Sequence, residues 1–328
     1  MPRVRSRLRP FLLGGVAFFL VLVMILGIPL VVLHFYPVVA SDQEVGDGEG
    51  PFYMRRTLGP GEPVVTIHLS SDETVALPME EYLVGVIAGE ISPRNDMEAL
   101  KAMAVAARTF AWERMERDVE LCATVHCQVW LSPEERFERW GDQTETYTRR
   151  IAEAVEATMG ELITYEGQVI QATYHGSCGG QTEESKFVWG WDIPYLQSVA
   201  CIEEPTVREK RFSFDELDAF LGTSLALMSE DRRSEAIAVL ATTDSGRAQS
   251  VRVGDSEMAG TSFRSVLGLS STNVDFDWSD EGLLIKTVGN GHAVGMCQTG
   301  AAMMAKEGYG YREILGHYYR GIELVKVY

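Results

Sequence analysis

The chain has 328 residues, enough for one or two domains with a sizeable core. Its 46% hydrophobic and 23% charged content is an ordinary globular balance and excludes disorder of the whole chain. With 29 basic and 47 acidic side chains the formal charge is −18, which argues against a nucleic-acid partner, because phosphate binding needs a basic footprint.

The charge is unevenly placed at the N-terminus. Arg3, Arg5, Arg7 and Arg9 come first, and Phe11 to Pro37 then carries no Asp, Glu, Lys or Arg. A run of that length spans a hydrocarbon core of roughly 30 Å. The arginines hold the first side in the cytoplasm, so the rest is expected to face outward. The alternative is a cleaved signal peptide, whose apolar core is only about 7–15 residues. The expected order is a cytoplasmic tail over 1–10, a transmembrane anchor over 11–37 and a linker over 38–63, rich in Gly, Pro and acid.

Val64 to Leu69 and Glu73 to Leu77 read as short strands. Pro78 then opens a helix with Glu80 and Glu81 in its first turn. Met79, Tyr82, Leu83, Val86 and Ile87 follow the helical apolar period, and Glu90 falls on the same face at the helix C-terminus. A second helix is expected from Asn95, with Glu98 completing a capping-box-like start. Its inner stripe is Leu100, Met103, Ala104, Ala107 and Ala111, bordered by Arg108. The pair of helices is expected to bring Glu90 and Arg108 toward one wall. Thr148 to Met159 reads as a further helix, and Leu162–Tyr165 with Val169–Tyr174 as a hairpin about Glu166-Gly167. The stretch from about 203 to 260 changes character and reads as an insertion between two halves of the main domain. Ser213 and Glu216 carry a capping signal within it. Leu283–Val288 returns as a strand, and a helix over Tyr311–Tyr319 and a strand over Ile322–Tyr328 close the chain.

Glu90 is the first candidate for chemistry. A carboxylate among apolar side chains loses hydration, and the negative helix end opposes its charge, so its pKa rises. Such a group can act as a general acid near neutral pH. Cys122, His126 and Cys127 form a short cluster of soft ligands suited to a structural zinc; a disulfide beside an exposed His uses the same residues differently. Five cysteines in all allow at most two disulfides. The loops His175-Gly-Ser-Cys178 and Gly289-Asn-Gly-His292 are glycine-rich and suited to lining a site. A Cys178 nucleophile with His175 or His292 as base is a rival chemistry. Trp189, Trp191 and Tyr195 suit either a sugar-stacking surface or the core.

Four separated segments resemble, in the right order, the stage II sporulation protein D (SpoIID) family. They are Leu77 to Glu90 (LPMEEYLVGVIAGE), Leu100 to Trp112 (LKAMAVAARTFAW), Tyr174 to Thr182 (YHGSCGGQT) and Gly291 to Ala301 (GHAVGMCQTGA). The resemblance covers roughly residues 64–328. It implies a mixed α/β (α+β), two-lobed catalytic domain with a smaller inserted lobe, preceded by one N-terminal transmembrane helix. It implies a membrane-anchored lytic transglycosylase that cuts peptidoglycan glycan strands during engulfment. Its substrate would be peptide-stripped strands, with a SpoIIP-like amidase and a SpoIIM-like membrane scaffold as partners. Glu90 matches the family's catalytic acid, and Arg108 a functionally important arginine. Cys122, His126 and Cys127 match a zinc-binding loop of some members. Arg108, Tyr174, His175 and Ser177 are assigned to orienting sugar or stabilising charge, and His292 and Gln298 to lining the same cleft. Amidase enhancers share these motifs and give the alternative role, without catalysis.

One carboxyl group suffices for the implied reaction. Hydrolases usually use two carboxylates. In a lytic transglycosylase a single acid protonates the glycosidic oxygen, then takes the proton of the muramic acid C6 hydroxyl. That hydroxyl closes intramolecularly to a 1,6-anhydro product.

Overall fold

The computed structural model describes residues 59–328. The expected tail over 1–10, the anchor over 11–37 and most of the 38–63 linker lie outside the described residues. Among the described residues no helix is long and apolar enough to cross a membrane. The described chain is a mixed α/β structure with several small sheets around two hydrophobic cores.

The first core is built on strands β1 (Val64–His68) and β2 (Thr74–Pro78), which pair antiparallel. Pro78 ends β2 and leads straight into helix α1 (Met79–Glu90). Its apolar stripe, Met79, Tyr82, Leu83, Val86 and Ile87, is wholly buried, as the period predicts. Helix α2 (Met97–Glu116) follows, and its alanine-rich stripe packs at the centre of this core. Small side chains allow that close approach. The expected cap at Asn95 does not form. Asp96 takes the N-cap place with no side-chain bond, and Glu98 instead pairs with Lys101 and accepts the Tyr311 N–H.

Strand β3 (Leu121–Cys122) adds to β1 in parallel. Helices α3 (Pro133–Trp140) and α4 (Thr144–Ala157) come next. Ser132 and Glu135 form a full capping box on α3, a signal that predicts this helix, which the apolar period does not. Strands β4 (Glu161–Tyr165) and β5 (Gln168–Val169) turn through Glu166 and Gly167, both at positive φ, as the hairpin motif requires. The hairpin stops at Val169. Tyr174 belongs to β6 (Tyr174–His175), which pairs with a strand more than a hundred residues later. A short helix, α5 (Ser185–Trp189), follows it.

The second core gathers Phe212, Leu217, Ile237, Val251, Phe263, Leu283 and Ile285, among others. It therefore reaches well past residue 260. Strand β7 (Val207–Ser213), helix α6 (Phe214–Leu221), helix α7 (Glu230–Ala236) and strands β8 (Ile237–Thr242), β9 (Ala248–Val253) and β10 (Ser256–Ala259) supply its first part. Ser213 and Glu216 close the predicted capping box on α6. Helix α8 (Gly260–Leu267) and strands β11 (Val274–Ser279) and β12 (Gly282–Val288) complete it. Strand β12 is the returning strand of the sequence, but it runs between β7 and β11.

Strand β13 (Met296–Cys297) brings the chain back to the first core in parallel with β6. Helices α9 (Gln298–Lys306) and α10 (Tyr311–Tyr318) and strand β14 (Glu323–Lys326) finish the chain, β14 pairing with β4. The β6–β13 pairing matters most for function, because both glycine-rich loops hang from it.

Candidate active site

Glu90 is the last residue of α1, at the end of the apolar stripe. Its carboxylate is held at both oxygens. The Val129 N–H donates to Oε1 at 2.8 Å, and the Gln298 side-chain amide donates to Oε2 at 3.0 Å. Gly89 makes the first contact possible, because a Cβ there would collide with the Val129 carbonyl. Burial raises the Glu90 pKa, and the two donated hydrogen bonds offset that only in part.

The carboxyl group opens into a cleft of about 340 Å³. Ser92 and Asn95 line it from the α1–α2 connection, Ser177 and Asn290 from the two glycine-rich loops, and Thr206 and Arg208 from the start of β7. Among the described lining residues Glu90 is the only carboxylate and Arg208 the only cation. The two loops are locked to each other: Ser177 and Asn290 exchange backbone hydrogen bonds at 3.0 and 2.7 Å.

Behind Glu90 lies a buried polar chain. The Tyr82 hydroxyl donates to Gln128 Oε1 at 2.7 Å, and Gln128 Nε2 donates to the Tyr174 hydroxyl at 2.8 Å. Burial, and next the charge of Glu90, push both phenol pKa values up. Both tyrosines therefore stay neutral throughout the working pH range.

The residues selected from sequence divide into three groups. Ser177 and Gln298 share the cleft with Glu90, and Tyr174 stands behind it through Gln128. His175 and His292 form a pair of their own, with ring centres 5.6 Å apart, and Trp189 packs on His292. Burial lowers the pKa of both, His292 to about 4, with the Arg264 charge adding to the effect there. Neither lines the cleft. Arg108 is elsewhere altogether. It is fully buried, forms a two-pronged ion pair with Glu80 at 2.9 and 2.5 Å, and donates to the Val155 and Glu161 carbonyls. Glu80 and Glu90 lie ten residues apart on α1, roughly 15 Å along a helix axis. The expected convergence of Arg108 and Glu90 on one wall is therefore replaced by a structural pair at the other end of the helix.

The rival nucleophile has no support in this geometry. Cys178 is buried, and the His175 ring engages the Val294 carbonyl through Nδ1. Trp191 is exposed and Tyr195 packs on Tyr165, so neither forms a stacking face on the cleft. In the loop after α2, Cys122 and Cys127 are disulfide-bonded, with His126 Nδ1 at 3.9 and 3.7 Å from the two sulfurs. Zinc and disulfide are competing uses of the same two sulfurs.

Several residues of the site carry little signal in the sequence. Gln128 and the Val129 N–H follow directly on the Cys-His-Cys loop, and nothing in their residue types marks them. Asn95, read as a helix cap, points to the cleft. Asn290 sits in the Gly-Asn-Gly motif and was legible there.

The SpoIID model, described as stage II sporulation protein, matches residues 70–165. The stage II sporulation protein D of Bacillus subtilis is 32% identical over 283 residues, covering 82% of this chain and 80% of that protein. An uncharacterized protein of Brachyspira hyodysenteriae is 32% identical over 76% of this chain and 67% of its own. The amidase enhancer of Bacillus subtilis is 27% identical over 74% of this chain and 40% of its own. By identity and coverage together, the chain belongs to the stage II sporulation protein D family, which acts in sporulation.

Proposed function

We propose that the chain is a membrane-anchored lytic transglycosylase. It would cleave MurNAc–GlcNAc bonds of peptide-stripped peptidoglycan to 1,6-anhydroMurNAc ends, in septal wall remodelling during engulfment. The observation that carries this reading is a single half-buried carboxyl group, raised in pKa, in a cleft whose other described lining residues are hydrogen-bonding or neutral apart from Arg208.

Glu90, protonated, gives its proton to the glycosidic oxygen as that bond breaks. Val129 and Gln298 then receive the full carboxylate charge in hydrogen bonds already formed. The carboxylate next takes the C6 hydroxyl proton as O6 bonds to C1. The proton count closes, and Glu90 ends as it began. Ser92, Asn95, Thr206 and Asn290 offer hydrogen bonds to sugar hydroxyls, and Arg208 a charge for the muramic carboxylate. The N-terminal anchor would place this cleft outside the cytoplasmic membrane, within reach of a SpoIIP-like amidase and a SpoIIM-like scaffold. In reduced form the loop after α2 offers Cys122, His126 and Cys127 to a structural zinc; oxidised, it is closed by the disulfide.

The likeness to an amidase enhancer favours a second reading, a wall-binding protein without catalysis. The full chain in detergent, incubated with amidase-treated peptidoglycan, separates the two by mass spectrometry of the products. Anhydro ends that disappear in Glu90→Gln are expected. Wall binding with no cleavage by the folded wild-type chain would establish the second reading.

A further inference from the structure

Three cysteines remain free in the structure, Cys178, Cys201 and Cys297. They come from three separate segments: the loop after β6, the segment before β7, and the end of β13. Their sulfurs and a carboxylate oxygen of Glu203 all lie within 4.8 Å of one another. Four tetrahedral donors around zinc, at about 2.3 Å each, sit about 3.8 Å apart, so this spacing fits one ion.

The surroundings hold these donors in place. Glu203 Oε1 accepts from the Ser177 hydroxyl and from the Gly179 and Gly180 N–H groups, which leaves Oε2 turned toward the Cys297 sulfur at 3.1 Å. Cys297 caps α9, and the Gly300 N–H reaches its sulfur at 3.3 Å, so a helix N-terminus faces a thiolate. Gly300 has no substitute, because a Cβ would collide with the Cys201 sulfur. Arg247, buried, donates to the Cys178 carbonyl and brings a positive charge against an otherwise anionic cluster.

We infer that Cys178, Cys201, Cys297 and Glu203 bind one structural zinc ion. A disulfide would use two of the three thiols and leave the third sulfur, and the Glu203 Oε2 turned toward the cluster, outside the bond. Zinc uses all four and resists oxidation of the thiols. The ion would tie together the three segments that carry Ser177, Gln298 and Thr206 to the cleft. It sits behind the wall and takes no part in bond cleavage.

The test reads metal and thiols, not activity. The full chain carrying Cys122→Ser and Cys127→Ser, so that the other loop cannot bind metal, is purified without chelator. One zinc per chain is expected. Cobalt in its place should give the near-ultraviolet charge-transfer band of thiolate ligation. The added substitution Cys201→Ser should lower zinc affinity tenfold or more. Should that variant fail to fold, the parent chain still decides, by alkylation under denaturing, non-reducing conditions. Three alkylated thiols together with one zinc support the site. A disulfide between any two of the three, zinc well below one equivalent, or iron in its place overturns it.

Discussion

Gln298 Nε2 and Glu90 Oε2 meet at 3.0 Å across 208 positions of sequence. This bond joins the last residue of α1 to the first residue of α9, and it ties the acid to the glycine-rich motif that precedes it. The amide can donate only to a charged or lone-pair oxygen, so it favours the carboxylate. It opposes the burial that raises the Glu90 pKa. Gln298→Leu should therefore push that pKa further up. The decline of kcat/KM on the alkaline side should move to higher pH, while kcat falls roughly tenfold to a hundredfold through lost alignment. A pH–rate profile of anhydro-product formation checks both, and an unmoved alkaline limb would remove Gln298 as a positioning residue.

The raised Glu90 pKa also has a stability sign. A folded-state pKa above the unfolded value means that the native state binds more protons between the two. Stability then falls as pH rises through that window, and the loss is complete above the folded pKa. Glu90→Gln removes the burdened charge while keeping an acceptor for Val129. The variant should melt higher than wild type at pH 8, and the gap should close below the ordinary carboxylate range. Melting curves at pH 8 and pH 3 decide it; a gap that persists at pH 3 would mean that packing, not charge, is responsible.

Arg108 predicts a loss of fold before a loss of chemistry. The pair with Glu80 is fully buried, and Glu80 also accepts from the Tyr328 hydroxyl at 2.6 Å and the Gly160 N–H at 3.3 Å. Removing the guanidinium leaves that buried carboxylate without its charge partner, at a cost of about 3–5 kcal/mol. Arg108→Met alone should unfold at much lower urea, and Arg108→Met with Glu80→Leu should recover part of the difference. Equal urea midpoints for wild type and Arg108→Met would show that the pair carries no such weight.

Local signals were legible in the sequence where one segment decides the outcome. The helical period of Met79 to Ile87 fixed the buried face of α1 and placed Glu90 at its end. The turn chemistry of Glu166-Gly167 located the β4–β5 hairpin. Partners chosen by tertiary pairing were not legible. Tyr174 reads as the end of that hairpin, yet its strand pairs with Met296. Arg108 borders an inner stripe either way, and only the folded chain shows whether Glu80 or Glu90 faces it. The cysteines give the same lesson: Cys178, Cys201 and Cys297 have no motif spacing, because their meeting point is set by β6, β13 and the connection to β7.

The loop after α2 gives the last prediction. Cys122 and Cys127 are separated by five positions, and closing so short a loop contributes about 2 kcal/mol in the chain-entropy account. The loop carries Gln128 and Val129 directly into the Glu90 site, so slack here reaches the acid. Cys127→Ser should lower the urea midpoint of the oxidised chain by that order, and reduction should do the same to wild type. Zinc added to the reduced wild type should restore the midpoint if His126 and the two thiolates take the ion, since a ligand that binds only the native state stabilises it. With the Cys178, Cys201, Cys297 and Glu203 cluster filled with zinc beforehand in both chains, further zinc should leave the reduced Cys127→Ser chain where it was. A wild-type midpoint indifferent to reduction and to zinc would show that closing this loop adds nothing to the stability of the fold.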